Sequence, residues 1–458
     1  MGNQSDLREH NTAVEWLRTQ YSALPAGSPV RLSKPTSNLF RFREPSRSPG
    51  LDVSAFGKVL SVDAPGRTAQ VGGMTTYENL VAATLPHGLM PTVVPQLKTI
   101  TIGGAVAGLG IESSSFRDGL PHEAVREMEI LTGDGRVVLA RADNDDAELF
   151  HGFPNSYGTL GYTLRCEIEL QPVRPYVQLR HVRCGDAEEA AELIAEVCLR
   201  RSHLGQQVDF VDGTAFTPRQ IYVTLGTFTD NAPSGTSDYT GQQIYYRSIP
   251  LREVDHLSTH DYLWRWDTDW FWCSGALGAQ NALVRRFWPA RYLRSDVYRR
   301  IVAFDRRHRL MDRAYRLLGQ RQREAVIQDI EVPVEKLAEF LDFFDREVGI
   351  RPVWLCPLRL RSKQAWPLYP LQPETLYVNV GFWSTAALPP GAEDGHFNRM
   401  IERKVTELGG HKSLYSTSYY SEQEFAELYN GAAYQRLKKE YDPDGRLPDL
   451  YTKCVRGN

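Results

Sequence analysis

The chain has 458 residues with a formal net charge of −3, of which 24% are charged and 11% aromatic. This length suffices for two or three domains, and the charge gives no general attraction to nucleic acid. The six cysteines lack metal-ligand spacing, the N-terminus lacks the apolar region of a secretory signal, and no run approaches the ~18 apolar residues of a membrane span. We therefore expect a cytoplasmic protein in a reducing compartment, without a zinc site.

The first part of the chain alternates short strands with helices after a polar lead-in helix. These predictions rest on capping, turn and alternation patterns. The predicted elements are a helix opened by a capping box at Thr75 and Glu78 and ended at Gly88, a hairpin over 125–140 turned by Gly133-Asp134-Gly135, and a strand over 162–170.

The order of predicted elements changes after Pro172, where two β-α-β-β units follow one another along the chain. Together they predict a ferredoxin-like α+β domain. The first unit comprises a strand over 176–183, a helix capped by Asp186, and strands over 207–215 and 220–228; the second comprises a strand over 325–331, a helix over 333–348, and strands over 351–361 and 374–383.

The final segment returns to helices, one of them opened by a capping box at Ser421 and Glu424. We therefore divide the chain into a lead-in, a first domain, a second domain and a C-terminal helical segment. Their predicted ranges are 1–25, 26–172, 173–395 and 396–458.

A glycine-rich stretch, Thr101–Gly119, holds Gly103, Gly104, Gly108 and Gly110 close to three consecutive serines. Glycines let backbone N–H groups come close to an anion, and serine hydroxyls add further donors. The stretch is compatible with a diphosphate cradle and also with a turn that only permits close packing. The standard dinucleotide fingerprint GxGxxG is absent from the chain.

With the turns 71–73 and 158–161, this stretch resembles the PCMH-type FAD-binding domain of the vanillyl-alcohol oxidase superfamily. The segments Leu97–Ser115, Pro352–Pro357 and Glu424–Gly431 resemble the delta-24-sterol reductase (DIMINUTO) family. The resemblance runs from roughly residue 30 to 455. It implies an α+β fold in which a two-subdomain PCMH-type FAD-binding domain is followed by a ferredoxin-like α+β cap domain that binds the substrate.

The resemblance also implies which residues bind FAD and that NADPH or NADH is the reductant. The turn 33–38 has neither His nor Cys, so we predict non-covalent FAD, with His87 and His122 beside the loop as the alternative attachment points. The implied FAD contacts are Thr36, Ser37, Asn38, Thr101, Ile102, Gly103, Gly104, Ala105, Gly108, Gly110, Ile111, Glu112, Ser113, Ser114, Ser115, Gly158, Gly161 and Ile168.

By resemblance, the protein is an oxidoreductase acting on CH–CH groups that reduces a carbon–carbon double bond of a lipid. We favour a methylene-fatty-acyl chain, because the composition looks bacterial and the membrane anchor of eukaryotic sterol reductases is missing. A delta-24-sterol reductase and an FAD-dependent alcohol oxidase or dehydrogenase are the alternatives, since the FAD fold serves both chemistries. A flavin-binding scaffold without turnover is a further alternative.

Reduction of an alkene requires an acid positioned to protonate one of its carbons. Tyr419, Tyr420 and Cys356 are the candidates, because they lie in or beside the stretches that match the family best. Arg359 is a candidate for holding a charged group of cofactor or substrate. Each also has an ordinary structural interpretation: a hydrogen-bonded tyrosine, a core thiol, or a surface ion pair.

Residues 262–310 combine five tryptophans with ten arginines. One interpretation is a surface that contacts an anionic membrane peripherally, with aromatic side chains in the headgroup layer. The other is a buried aromatic cluster behind a solvated helical face.

Overall fold

The computed structural model describes residues 4–34, 40–41, 50–308 and 322–457. The predicted FAD contacts Thr36, Ser37 and Asn38 lie outside these residues. In the described part of the chain, no helix is long and apolar enough to cross a membrane.

A six-stranded sheet forms the centre of the first domain, with the strand order β3-β4-β8-β6-β7 and with β5 paired to β8. A short parallel pair, β1 with β2, precedes it. The strands of this part are β1 (Leu32–Ser33), β2 (Leu51–Asp52), β3 (Val59–Asp63), β4 (Thr68–Gly72), β5 (Leu89–Pro91), β6 (Val125–Thr132), β7 (Val137–Ala140) and β8 (Gly161–Pro172).

An eight-stranded sheet forms the second domain, in the order β14-β9-β13-β12-β16-β17-β15-β18. The two β-α-β-β units lie side by side in it, joined where β12 pairs antiparallel with β16. The remaining strands are β9 (Tyr176–Cys184), β10 (Ser202–His203), β11 (Gln206–Gln207), β12 (Phe210–Thr217), β13 (Gln220–Thr229), β14 (Val254–Ser258), β15 (Arg323–Pro333), β16 (Val353–Leu358), β17 (Tyr377–Ala387) and β18 (His411–Lys412).

The helices occupy the outer faces of the two sheets and the segments between them. Short helices contribute to the glycine-rich stretch, and the long amphipathic ones cover the second sheet. They are α1 (Gln4–Ser22), α2 (Tyr77–Thr84), α3 (Ile102–Ala107), α4 (Ser115–Asp118), α5 (Ala147–Gly152), α6 (Ala187–Arg200), α7 (Tyr245–Ser248), α8 (Thr259–Leu263), α9 (Ala282–Phe287), α10 (Ser295–His308), α11 (Leu337–Glu347), α12 (His396–Glu407), α13 (Glu422–Leu428) and α14 (Gly431–Tyr441).

The two faces of the second sheet belong to different cores. On one face, apolar side chains of α6, α11 and α12 pack against alternate strand residues such as Leu355 and Val380. The residues between them, such as Trp354 and Cys356, join the core of the first domain. Because successive side chains of a strand point to opposite faces, this sheet is buried on both sides and its second face is turned toward the first domain.

The alternating strand and the hairpin are confirmed as β8 and as β6 paired with β7. The capping box predicted at Thr75 is wrong by one residue. Thr76 is the N-cap, and its hydroxyl accepts from the backbone N–H of Asn79 at 3.3 Å. Thr75 is instead buried and donates its hydroxyl to the carbonyl of Lys58 at 2.9 Å.

The boundaries of the later elements also differ in detail from the sequence prediction. The helix predicted over 333–348 begins at Leu337, because residues 334–336 form a 3₁₀ turn after Pro333. The capping box at Ser421 and Glu424 is confirmed, with both side chains accepting the partner's backbone N–H. The C-terminal segment divides between the domains, since α12 packs on β15 and α14 packs on α5.

Candidate functional site

A cavity of about 860 Å³ lies between the two domains. Its volume falls in the range of ~300–1,000 Å³ that is typical of cofactor and ligand sites. The first domain contributes two loops, 95–111 and 157–163, and the second contributes aromatic and polar side chains of its sheet. Residues 445–453 of the C-terminal segment close a further side.

The glycine-rich stretch is closely packed and also lines the cavity. A side chain at Gly103 would meet the carbonyl oxygen of Gly73 at 2.7 Å, and one at Gly110 would meet the rings of Pro121 and Pro95 at 2.9 and 3.0 Å. These glycines are therefore required for close packing. They also leave the backbone of the stretch exposed on the cavity wall.

The structure divides the predicted FAD contacts into two groups. Those that line the cavity are Thr101, Gly103, Gly104, Gly108, Gly110, Ile111, Gly158 and Gly161. Those that are described but lie outside its lining are Ile102, Ala105, Glu112, Ser113, Ser114, Ser115 and Ile168.

The segment Glu112–Ser115 joins the two domains. The carbonyl oxygen of Ser113 accepts from the backbone N–H of Val211 in β12 at 2.8 Å. Glu112 lies 3.6 Å from the guanidinium group of Arg265, which also pairs with Asp212 at 2.8 Å. All three charged side chains are buried, and burial raises the pKa of Glu112 although Arg265 opposes this.

Three buried polar atoms on the cavity wall have no hydrogen-bond partner among the described residues. They are Gln96 Nε2, Thr163 Oγ1 and Arg446 Nη2. A buried polar group left unpaired costs about 1–3 kcal/mol, so the site favours a ligand that carries hydrogen-bonding oxygens. The phosphate, ribityl and flavin oxygens of FAD meet this requirement, and the residues of the cavity fit the cofactor.

Positive charge on the cavity wall also suits a diphosphate. Arg31, Lys34, Arg446 and Lys453 all contribute to the lining. Lys453 donates to the carbonyl of Tyr157 at 2.6 Å, and this bond fixes the second glycine turn against the C-terminal segment. Because cations and backbone N–H groups both favour an anion, the lining is suited to a diphosphate.

The opposite wall is aromatic. The rings of Phe271 and Trp383 stack with centroids 4.3 Å apart, and Trp354 lies 5.3 Å from Phe271. Trp270 and Phe271 have φ angles of +46° and +59°. Consecutive non-glycine residues in this left-handed region are costly, at about 1–3 kcal/mol each, and here both side chains line the cavity.

A carboxyl group, Asp329, stands beside this aromatic wall. The side-chain amide of Asn379 donates to it at 3.1 Å, and it is hydrogen-bonded to Tyr415, whose hydroxyl accepts from Trp383 Nε1 at 3.0 Å. Burial raises the pKa of Asp329 to about 7, and the hydrogen bonds from Asn379 and Tyr415 oppose this only in part. This carboxyl group is not among the site residues predicted from the sequence.

The four candidates for catalysis do not belong to the lining of the cavity. Tyr420 is buried beside Tyr429 with ring centroids 6.2 Å apart, and the backbone N–H of Tyr419 donates to Glu402 at 3.0 Å. Cys356 is buried in β16, where burial raises the pKa of its thiol well above the ordinary value. The backbone of Arg359 donates to the Ser115 carbonyl at 3.2 Å.

The tryptophan- and arginine-rich segment divides into two parts. Its four tryptophans between residues 264 and 272 are buried, and buried arginines such as Arg265 are paired with carboxylates. The second part, α9 and α10, instead carries exposed apolar side chains, among them Phe287, 81% exposed, and Phe304, 59% exposed. The buried-cluster interpretation therefore applies to the first part only.

Comparison with known proteins identifies the cofactor. Residues 27–141 match the family model described as "FAD binding domain". The cavity is lined along one side by the glycine-rich stretch of this same region. The chain is an FAD-dependent oxidoreductase.

Over most of its length the oxidoreductase resembles delta(24)-sterol reductases. It is 26% identical over 461 residues to the one from Arabidopsis thaliana, covering 89% of this chain and 76% of the relative. With the one from Homo sapiens, the identity is 25% over 435 residues, covering 87% and 76%. The decaprenylphosphoryl-beta-D-ribose oxidase of Mycolicibacterium smegmatis is 32% identical, but only over 123 residues, or 27% of this chain and 26% of that protein.

Proposed function

We propose that this protein is an FAD-dependent, NAD(P)H-linked reductase of a lipid carbon–carbon double bond, in the manner of a delta-24-sterol reductase. The observation that carries the proposal is the similarity to such reductases over 87–89% of this chain. The same similarity favours a sterol-type substrate over the methylene-fatty-acyl chain that the composition favoured. An alcohol oxidase remains the second candidate, because 123 residues of this chain are similar to an oxidase.

When bound, FAD would supply hydride chemistry, while the protein sets orientation, polarity and access. The backbone of the glycine-rich stretch, together with Thr163, Gln96 and Arg446, would hold it in the cavity. The second sheet serves as the ferredoxin-like cap, and its aromatic side chains would exclude water and hold an apolar substrate. No histidine or cysteine occurs among the described lining residues, which supports a non-covalent cofactor.

The test is anaerobic reduction of the purified holoenzyme by NADPH or NADH, followed by addition of candidate oxidants. A delta-24-unsaturated sterol should restore the oxidised flavin spectrum, with the saturated sterol appearing in equal amount. A methylene-fatty-acyl lipid is the comparison substrate. Fast reoxidation by oxygen with release of peroxide, and none by any alkene, would instead support the alcohol oxidase.

We also propose that α9 and α10 contact the surface of an anionic membrane from the cytoplasmic side. Exposed apolar residues stand among exposed arginines there, which is the composition of a peripheral membrane surface. The apolar residues are Leu283, Val284, Phe287, Tyr292, Ile301 and Phe304. The exposed arginines are Arg286, Arg291 and Arg300.

Replacing both Phe287 and Phe304 by Ser should abolish sedimentation with vesicles that contain phosphatidylserine at low salt. Leu199 and Leu204 provide the matched control, because they are 77% and 81% exposed but lie in another part of the protein. Equal loss of binding in the Leu199→Ser/Leu204→Ser variant would contradict a specific surface on α9 and α10.

A further inference from the structure

We propose that the carboxyl group of Asp329 donates the proton that completes reduction of the double bond. This assignment rests on the proposed function and names the acid that the reaction needs. It differs from the tyrosine and cysteine candidates drawn from sequence similarity, which lie outside the lining of the cavity.

The position of Asp329 follows from the strand register of the second, eight-stranded sheet, called the cap sheet below. Asp329 of β15 pairs with Gly381 of β17, and Gly381 pairs with Trp354 of β16. Residues paired across neighbouring strands lie on the same face of a sheet. The side chains of Asp329 and Trp354 therefore project from the face that lines the cavity, with Gly381 between them. The acid and the rings of Trp354 and Trp383 are therefore held on one face of the sheet.

Gly381 makes room for this arrangement. A side chain there would lie 2.5 Å from a carboxylate oxygen of Asp329 and 2.6 Å from the ring of Trp383. The backbone of Gly381 needs no left-handed conformation, so the glycine is required for space. Without it, the acid and the tryptophan ring could not both occupy their positions.

The surroundings of Asp329 favour its protonated form. No lysine or arginine forms an ion pair with it among the described residues, and its partners are the neutral groups of Asn379 and Tyr415. The titratable groups that interact with it are Glu331, Cys356, Tyr157 and Tyr415. None of these carries a positive charge that would favour the ionised form, and an apolar substrate would exclude water from the cavity further.

The reaction requires an acid that protonates one carbon of the double bond. An alkene with no neighbouring carbonyl cannot stabilise a carbanion, so protonation must precede or accompany hydride addition. The π electron pair forms a C–H bond with the Asp329 proton at the less substituted carbon, and the more substituted carbon accepts a hydride equivalent that originates from NAD(P)H. Asp329 is left as a carboxylate and regains a proton from water.

The aromatic wall supports the same step. Positive charge that develops on the more substituted carbon is stabilised by the faces of aromatic rings within about 6 Å. Trp354, Trp383 and Phe271 provide such faces on the same side of the cavity as the acid. The class of substrate that this pairing suits is an unactivated, branched alkene of isoprenoid type.

The test compares Asp329→Asn with Glu331→Gln. Glu331 is the matched control, because burial raises its pKa to about 8 and it lies two residues along the same strand, but it does not line the cavity. Each holoenzyme is reduced anaerobically with NADPH, and reoxidation by a delta-24-unsaturated sterol and by oxygen is followed at the flavin. Both variants should be reduced and reoxidised by oxygen at the wild-type rate.

With the sterol, Asp329→Asn should be slower by about 10²–10⁴-fold, which is the usual contribution of a positioned acid, and Glu331→Gln should keep the wild-type rate. The wild-type rate should fall about tenfold per pH unit above pH ~7, and the residual rate of Asp329→Asn should not. In infrared difference spectra, two protonated-carboxyl bands should titrate near neutral pH, and one should vanish in Asp329→Asn and the other in Glu331→Gln.

Undiminished reoxidation of Asp329→Asn by the sterol would overturn the assignment and leave the proposed function intact. A wild-type enzyme that no alkene reoxidises would overturn both. Loss of activity in Glu331→Gln alone would transfer the role to that residue and overturn the assignment of Asp329.

Discussion

The hydroxyl group of Thr163 can be tested for a contact with FAD, and Thr214 provides the control. Both are buried without a hydrogen-bond partner among the described residues, but only Thr163 lines the cavity. Thr163→Val should weaken FAD binding about five- to tenfold, because one hydrogen bond contributes about 1 kcal/mol. Thr214→Val should leave FAD affinity unchanged. Fluorescence titration of apoprotein with FAD measures both values, and equal effects would show that Thr163 has no contact with the cofactor.

The raised pKa of Asp329 also predicts how the stability of the fold depends on pH. Its pKa is raised in the folded protein to about 7 from 3.8, so folding favours the protonated form. The wild type should therefore lose stability relative to Asp329→Asn as pH rises from about 4 to about 7, with a constant difference above that range. Urea unfolding of the two apoproteins at several pH values measures the difference, and a gap independent of pH would contradict the raised pKa.

The identity of the acid could not be predicted from sequence, and the reason is physical. In the run from Asp329 to Val332, polar and apolar residues alternate, so Asp329 and Glu331 have the pattern of a solvent-facing strand side. Only the packing of the cap sheet against the first domain buries that side. The tyrosines and Cys356 were chosen because their neighbours match a family, which is a property of sequence rather than of position.

At the scale of elements, the strand register is what aligns the site. Gly381→Ala should displace the Asp329 carboxyl or the Trp383 ring, at a cost of about 1–3 kcal/mol in stability. Sterol-dependent reoxidation should fall by at least about tenfold, since small displacements of reacting groups slow catalysis strongly. Gly226→Ala is the control, because its side chain would meet Phe210 at 3.0 Å in the same sheet but away from the cavity. Unchanged turnover in Gly381→Ala would show that the spacing is not critical.

Elements were more predictable than side chains. The alternation of β8 and the capping of α6 by Asp186 depend on neighbouring residues, and both occur as the sequence indicates. The start of α2 shifted by one residue because Thr75 has a long-range bond to the backbone of Lys58. The pairing of β12 with β16 joins residues more than a hundred positions apart, such as Gly213 and Leu355, so local patterns carry no information about it.

For the molecule as a whole, FAD bound in this cavity would contact both domains. Its lining comes from both sheets and from the C-terminal segment, so dissociable FAD should stabilise the whole fold. At a free concentration of about 100 times Kd, the gain should be about 2.7 kcal/mol. Thermal unfolding of apoprotein with increasing FAD should show one transition that moves to higher temperature. Flavin that stays with acid-precipitated protein would contradict the non-covalent cofactor.

The FAD-binding character of the site was accessible from sequence, because glycine-rich turns are local features. The contribution of residues 445–453 to the cavity was not, since nothing in that loop-rich segment indicates its distant partners. Lys453, which binds the Tyr157 carbonyl, illustrates the point: its role depends entirely on a tertiary contact.

The late position of residues 445–453 in the chain has a consequence for synthesis of the protein in the cell. The glycine-rich stretch leaves the ribosome early, but the residues that close its cavity follow far downstream, at 445–453. At about 5–20 residues per second, the nascent first domain spends tens of seconds with its cofactor site open on one side. Secure uptake of FAD must therefore wait until translation has nearly finished, and the amount of active enzyme depends on cofactor supply at that late moment.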